Sequence, residues 1–253
     1  MTTGPYICGF ESIGLTDRAR VGGKGASLAE LTRAGLRVPA GFVITTQAFA
    51  EFMAAVDPRD ELAPLIESAA PDDLGAIAQS ATQARQRIGA LPMPPELRQP
   101  IASAYRQLCA GDTTTVAVRS SATSEDSAEA SFAGLQDTYL WIRDEESMLG
   151  AVRDCWASLY SVESVTYRRQ RSLPERHIAM AVVVQRMDFR EETTGHRKLC
   201  GTGEFDVKGF VKALENSPYR GPIGIEVLSK ELRSWPLDRT VTEAYRTTRA
   251  QFD

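Results

Sequence analysis

The stretch His177–Gln185 reads HIAMAVVVQ and gives the strongest β-strand signal in the chain. Apolar residues fall on both of its faces, which is typical of an interior strand that is covered on both sides of its sheet. The β-branched segment Thr113–Val118 (TTTVAV) predicts a second strand. From Met148 to Tyr160, apolar residues recur at spacings of three and four, which predicts a long helix capped by Asp144. We therefore expect a mixed α/β (α+β) fold.

The N-terminal region predicts further helices and a strand. A helix is expected over Gly22–Gly35, and a strand over Phe42–Thr45 follows the turn at Pro39. Thr46 is then expected to cap a helix over Gln47–Ala55.

Length and composition are those of an ordinary globular protein. The chain has 253 residues, 43% apolar and 25% charged, with a net charge of -4. This charge gives no overall attraction to nucleic acid or to anionic membranes. No apolar run approaches the roughly 18–20 residues of a bilayer span, and the N-terminus lacks a signal-peptide pattern. We therefore expect a cytoplasmic protein with no nucleic-acid and no membrane partner, and with scattered, reduced cysteines.

A first candidate for chemistry is VGGKGASLAEL, residues Val21–Leu31. Glycines on both sides of Lys24 allow close approach of the backbone to a ligand, at a helix N-terminus that favours an anion. The segment is not a Walker A loop, because Arg18 and Gly25 stand where that motif needs a glycine and a hydroxyl residue. A plain turn before a helix explains the same residues, so both interpretations stay open.

A second candidate is VRSSATSED, residues Val118–Asp126. Arg119 leaves the end of a short strand, where a guanidinium group can make fork-shaped hydrogen bonds to phosphate oxygens. A structural arginine at a strand–turn joint is the alternative.

Two further segments carry weaker signals. In SFAGLQDTYL, residues Ser131–Leu140, Gly134 would let a loop lie over phosphates and Thr138 offers a hydroxyl. Gln185 ends the apolar strand, where its amide could read the edge of an adenine or could simply be satisfied by the backbone.

In this order, the strings GGKGASLAEL, RVPAGFVITTQAF, RSSATSED, SFAGLQDTYL and VVVQRM resemble the nucleotide-binding domain of the phosphoenolpyruvate synthase and pyruvate phosphate dikinase family, which rifampicin phosphotransferases share. The resemblance covers about residues 8–188 and implies an ATP-grasp-like first lobe over 1–188. It implies that Lys24 and Arg119 hold the phosphates of ATP, that Gly134 and Thr138 line the phosphate loop, and that Gln185 contacts adenine.

The resemblance stops after Met187. The family continues into a second lobe that supplies Mg²⁺ ligands, and no matching ligands are found here. Neither His177 nor His196 lies in a phosphohistidine motif. We therefore expect a truncated first lobe, with no catalytic residue and no metal ligand assigned.

The sequence after residue 188, which we call the tail, carries a different resemblance. Residues 189–198 are expected to form a linker or fusion junction, and residues 199–253 resemble the C-terminal part of sugar isomerase and epimerase TIM barrels. The tail predicts a short βα appendage, with a helix near Val207–Asn216, a strand at Ile223–Leu228 and a helix near Thr240–Gln251.

The function that the resemblance implies is ATP-dependent phosphoryl transfer of the pyruvate, water/phosphate dikinase type. ATP is the expected nucleotide, Mg²⁺ the expected metal, and pyruvate or another phosphoryl acceptor the expected substrate. The alternative is a non-catalytic nucleotide-binding remnant fused to an isomerase-like tail. If the strand His177–Gln185 lacks neighbours, its exposed edge would also favour self-association.

Overall fold

A computed structural model describes residues 4–110, 114–123, 126–127, 130–131, 137–176, 178–187, 198–203, 205–217, 221, 227 and 229–252. The chain divides into two compact units. The first comprises Met1–Arg33 and Val38–Asp188, and the second comprises Ala34–Arg37 and Phe189–Asp253.

The first unit contains a five-stranded sheet in the order β1-β2-β7-β3-β6 and a separate two-stranded pair, β4-β5. The strands are β1 (Ile7–Gly9), β2 (Gly41–Ile44), β3 (Val116–Ala122), β4 (Asp126–Ser127), β5 (Ala130–Ser131), β6 (Thr138–Ile142) and β7 (Met180–Arg186). The helices are α1 (Arg18–Arg33), α2 (Thr46–Val56), α3 (Leu62–Glu67), α4 (Leu74–Ala90), α5 (Pro95–Leu108), α6 (Glu145–Ser158) and α7 (Val162–Gln170), with short 3-10 turns at Phe10–Ser12 and Leu15–Asp17. The predicted mixed α/β class is confirmed.

Strand β7 is the centre of the large sheet. It pairs antiparallel with β2 on one side and with β3 on the other. Residues Met180–Gln185 are all buried, as the apolar pattern predicts for an interior strand. The expectation that this strand exposes an edge for self-association is wrong, because both neighbours come from earlier in the same unit. The sheet instead ends at β1 and β6.

The two faces of the sheet bury two separate cores. On one face, Val182 and Val184 pack with residues of α2 to α7, including Trp156, whose ring lies 4.9 Å from that of Phe52. On the other face, Val183 packs with residues of α1 and β1. Burying one large apolar side chain contributes about 1.5–3 kcal/mol, so both faces contribute to the stability of the sheet.

A buried ion pair ties α7 to the segment that precedes β7. The guanidinium group of Arg168 donates from Nη2 to Glu175 at 2.9 Å and from Nε at 3.0 Å, and both side chains are almost completely inaccessible. Arg168 also donates from Nη1 to the carbonyl of Leu159 at 2.7 Å. These hydrogen bonds offset part of the cost of removing the two charges from water.

Two helix caps were predicted from the sequence, one for α6 and one for α2. The Asp144 carboxylate accepts from the Ser147 amide at 2.8 Å, so the predicted cap of α6 is confirmed. Thr46 is not the cap of α2: it lies in the helix, and Thr45 precedes it. The Thr45 hydroxyl donates to the Pro5 carbonyl at 2.7 Å, because the segment before β1 lies beside it.

The second unit contains α8 (Val207–Glu215), α9 (Lys230–Arg233) and α10 (Leu237–Arg249). The first and last of these confirm the helices predicted in the tail. The predicted strand Ile223–Leu228 falls, except for Val227, outside the described residues. Among the helices in the described ranges, none combines the length and apolarity of a membrane span.

Candidate functional site

Helix α1 is interrupted at Gly22, two residues before Lys24. Gly22 has φ +70° and ψ 176°, so the helix restarts after it and Lys24 lies in the first turn of the new segment. A Cβ atom at Gly22 would collide with the backbone carbonyl of Ser121 on β3. Only glycine therefore permits this close approach.

The hydroxyl of Ser121 joins the interrupted helix to the sheet. It donates to the Val21 carbonyl at 2.9 Å and accepts from the Gly25 amide at 3.1 Å. Both bonds are buried, and they satisfy backbone groups that the break in α1 leaves without helical partners. The glycine-bounded segment around Lys24 is thus held directly against β3.

Arg119 lies on β3 two residues before Ser121, so both side chains leave the same face of the sheet. It pairs with Thr138 on β6 and with Val183 on β7. Arg119 is half-buried, and its Nε atom is buried without an acceptor in the described part of the chain. An unsatisfied buried donor costs about 1–3 kcal/mol, and a guanidinium group in this state is suited to an anionic ligand.

Lys24 is half-buried and acts electrostatically on the same region. Burial raises the pKa of the Cys155 thiol far above its ordinary value, and the charge of Lys24 lowers it in part. Lys24 therefore lies within electrostatic range of Cys155. The Cys155 thiol is 3.9 Å from the backbone carbonyl of Asp137, the residue before Thr138.

The remaining predicted site residues are Thr138, Gly134 and Gln185. Thr138 is exposed on edge strand β6, directly opposite Arg119. Gly134 lies outside the described residues. Gln185 pairs with Gly41 on β2 and with Ala117 on β3. It is only 8% exposed, and its Nε2 donates to the Pro39 carbonyl at 3.1 Å.

The register places these side chains on one face. Val183, which pairs with Arg119, belongs to the core on the α1 face, and Gln185 lies two residues further along the same strand. Arg119, Thr138 and Gln185 therefore share the sheet face on which α1 packs. Arg119 and Thr138 lie opposite each other, and Gln185 lies two residues along β7 from the partner of Arg119. A guanidinium group beside a hydroxyl is suited to an anionic group of a ligand.

Sequence reasoning missed a β-bulge in β6 opposite Ala117, the residue that pairs with Gln185. Strand β6 has two residues, Leu140 and Trp141, opposite the single residue Ala117 of β3. Trp141 has φ +63°, and its amide lies 3.3 Å from the Met187 sulfur. No sequence signal marks this β-bulge, because it is a property of strand register.

The described residues contain no group of three or more His, Cys, Asp or Glu side chains arranged to hold a metal ion.

Comparison with known proteins identifies a family for this chain. The chain matches the family model described as pyruvate phosphate dikinase, AMP/ATP-binding domain, over residues 18–199. This range includes the glycine-bounded Lys24 segment, β3, β6 and β7.

The individual relatives are named as rifampicin phosphotransferases or as phosphoenolpyruvate synthases. A rifampicin phosphotransferase of Streptomyces sp is 41% identical over 225 residues, covering 83% of this chain and 26% of the relative. A probable phosphoenolpyruvate synthase of Methanothermobacter thermautotrophicus is 38% identical over 223 residues, covering 81% and 33%. The phosphoenolpyruvate synthase of Escherichia coli is 38% identical over 188 residues, covering 72% of this chain and 24% of the relative.

The chain thus spans about a quarter to a third of the length of these relatives. On the family match and on the positions that it covers, the chain belongs to the pyruvate phosphate dikinase AMP/ATP-binding domain family.

Proposed function

We propose that the chain binds ATP on the α1 face of the sheet, with the phosphates at Lys24, Arg119 and Thr138 and the base at Gln185. The observation that carries the proposal is the buried Nε of Arg119, which has no acceptor among the described residues and lies opposite the exposed Thr138. A phosphate group would supply that acceptor. Gly134 remains a proposed part of the phosphate loop.

The reaction that we propose is ATP-dependent phosphoryl transfer of the type that uses phosphoenolpyruvate. Its support is the family membership and the names of the relatives, which are phosphoenolpyruvate synthases and rifampicin phosphotransferases. Pyruvate or another acceptor would receive the phosphoryl group. We propose further that residues 1–188 form an ATP-grasp-like first lobe, followed by a linker over 189–198 and a barrel-like tail over 199–253.

In this proposal the residues of the chain bind and orient the nucleotide. The Arg119 guanidinium group and the Lys24 ammonium group would offset phosphate charge, while Gly22 and Gly25 hold the Lys24 segment against β3. Phosphoryl transfer also uses Mg²⁺ to neutralise developing charge. The described residues do not supply a ligand set that fits this metal.

Isothermal titration calorimetry with a non-hydrolysable ATP analogue tests the site. We expect Arg119→Ala and Lys24→Ala each to weaken binding by about tenfold or more, since a hydrogen bond to a charged group contributes roughly 1.5–3 kcal/mol. Arg106→Ala is the matched control. Arg106 is an exposed arginine of α5 that pairs with Glu145 at 2.7 Å, and its loss should leave affinity unchanged. Unchanged affinity in both site variants would refute the assignment.

An ATP turnover assay in the presence of Mg²⁺ separates the enzyme from its alternative, a nucleotide-binding module without catalysis. Metal-dependent turnover that Arg119→Ala removes would support the enzyme. Tight ATP binding without turnover in the purified chain would support the binding module.

A further inference from the structure

Helix α10 exposes its apolar face. Leu237, Val241 and Tyr245 recur every four residues, so they form one line along the helix, which we call the α10 stripe. These residues are 79%, 59% and 72% exposed. The only buried residue of this fully described helix is Thr247, which is polar. A surface helix ordinarily turns its apolar stripe towards its own core, so the α10 stripe is available to another molecule.

The α10 stripe lines an open groove within the second unit. Leu199, Leu232 and Trp235 also line this groove, which has a volume of about 840 Å³. Ala244 lines it too, and so small a side chain permits the close approach of a second helix. With 13 residues, α10 is about 20 Å long. An amphipathic helix is the element that covers an apolar groove of this length.

Two opposite charges, Asp238 and Arg249, lie beside the α10 stripe at its two ends. Their separation of 11 positions is about three helical turns, so both lie on the same flank of the helix. Both are exposed, and within the described ranges neither forms an ion pair, whereas Arg246 pairs with Glu243 at 2.7 Å. The midpoint between the two charges falls between residues 243 and 244, beside the middle of the α10 stripe.

We propose that the α10 stripe is a self-association surface, and that its occupant is the α10 stripe of a second copy of this chain, antiparallel about a two-fold axis near Ala244. In a two-fold interface, residue i of one copy contacts residue j of the other, and the reverse contact forms as well. Asp238 of each copy then lies opposite Arg249 of the other, and two ion pairs form on one side of the paired stripes. A parallel arrangement would instead bring like charges together.

The expected dimer is weak and reversible. One helix pair of this length buries less surface than the roughly 1,200 Å² at the lower end of stable interfaces, so association belongs to the transient class. The proposal is independent of nucleotide binding, because every residue that carries it lies in the second unit.

Sedimentation velocity on the full chain, over a series of protein concentrations, tests the surface. We expect a concentration-dependent equilibrium between monomer and dimer, and Val241→Glu should abolish the dimer because it places a carboxylate in the middle of the paired stripes. Val241 is exposed, so this variant is expected to fold, and its circular dichroism spectrum verifies that it does. Leu74→Glu, which replaces an exposed leucine of α4, is the matched control and should leave the equilibrium unchanged.

Charge reversal tests the antiparallel arrangement. Asp238→Arg and Arg249→Asp each turn both ion pairs of the dimer into repulsions, and each should weaken self-association by about tenfold. An equimolar mixture of these two variants restores opposite charges at both positions, so it should associate about as well as the wild-type chain. The double variant Asp238→Arg/Arg249→Asp should recover self-association for the same reason.

Three results would overturn the proposal. A chain that stays monomeric at every concentration would leave the groove to another occupant. A dimer that Val241→Glu does not change would show that the two copies meet through a different surface. A mixture of the two charge-reversal variants that associates no better than either variant alone would contradict the antiparallel pairing of Asp238 with Arg249.

Discussion

Replacing Gly22 by alanine tests how α1 is held against the sheet. Gly22 combines φ +70° with ψ 176°, a region of backbone space that is essentially restricted to glycine. The added methyl group would also meet the Ser121 carbonyl, which is backbone and cannot rotate away as a flexible side chain would.

The expected magnitude follows from these two effects. Backbone strain of this kind costs about 1–3 kcal/mol. Displacing β3 from α1 would also break the hydrogen bonds from Ser121 to Val21 and from Gly25 to Ser121, at about 0.5–1.5 kcal/mol each. We therefore expect a loss of about 4 kcal/mol in the free energy of unfolding. In a unit of this size that loss lowers the melting temperature by roughly 8–16 °C.

Thermal and urea unfolding, monitored by circular dichroism, measure this loss. Gly89→Ala is the control, because Gly89 lies within α4 and no described atom comes within 4 Å of its added Cβ. That variant should be neutral or more stable by about 0.5–1 kcal/mol. A loss below about 1 kcal/mol for Gly22→Ala, or equal effects of the two substitutions, would refute the described contact between α1 and β3.

Three further predictions concern buried polar groups. Arg168→Met alone should destabilise the protein by about 3–5 kcal/mol because it leaves the Glu175 carboxylate buried and unpaired. The double variant Arg168→Met/Glu175→Leu should recover most of that loss in urea unfolding, and additive losses would contradict the pairing. Burial raises the pKa of Tyr160 to about 12. Since this pKa exceeds the ordinary tyrosine value near 10, the contribution of Tyr160 to the free energy of unfolding is complete below about pH 10 and falls as pH rises towards 12. The urea concentration at the midpoint of unfolding should fall over the same range, and Tyr160→Phe should flatten that decline. Burial also raises the pKa of the Cys8 and Cys155 thiols, Cys155 far more. Both should react with a thiol reagent only on unfolding, and immediate labelling of all four cysteines in the native protein would contradict their burial.

Local patterns were sufficient for several elements of this protein. The apolar run that ends at Gln185 predicts an interior strand, and β7 is one, although it begins at Met180 and not at His177. The apolar spacing after Asp144 predicts α6 and its cap. In both cases the element is determined by residues that are close in sequence, through apolar periodicity and through the hydrogen bond of the cap.

The placement of the site residues on one sheet face required strand register. Arg119, Thr138 and Gln185 were singled out from motif chemistry and family resemblance, but their shared face follows from pairings between distant segments. The helix predicted from Gly22 begins instead at Arg18 and breaks at Gly22, because Ser121, 96 positions beyond Gly25, supplies the hydrogen bond.

The sequence by itself determined the interior strand β7, helix α6 with its cap, and the family, and it supplied the candidate phosphate-binding residues. Strands β1 and β6 were not predicted. Only the tertiary structure decided that Arg119 has a buried donor without a described acceptor, that β6 bulges at Trp141, and that the Gln185 amide donates to Pro39, 146 positions away. The physical reason is that a residue type specifies which hydrogen bonds and apolar contacts a side chain can make. Strand register and long-range packing specify which of them it does make.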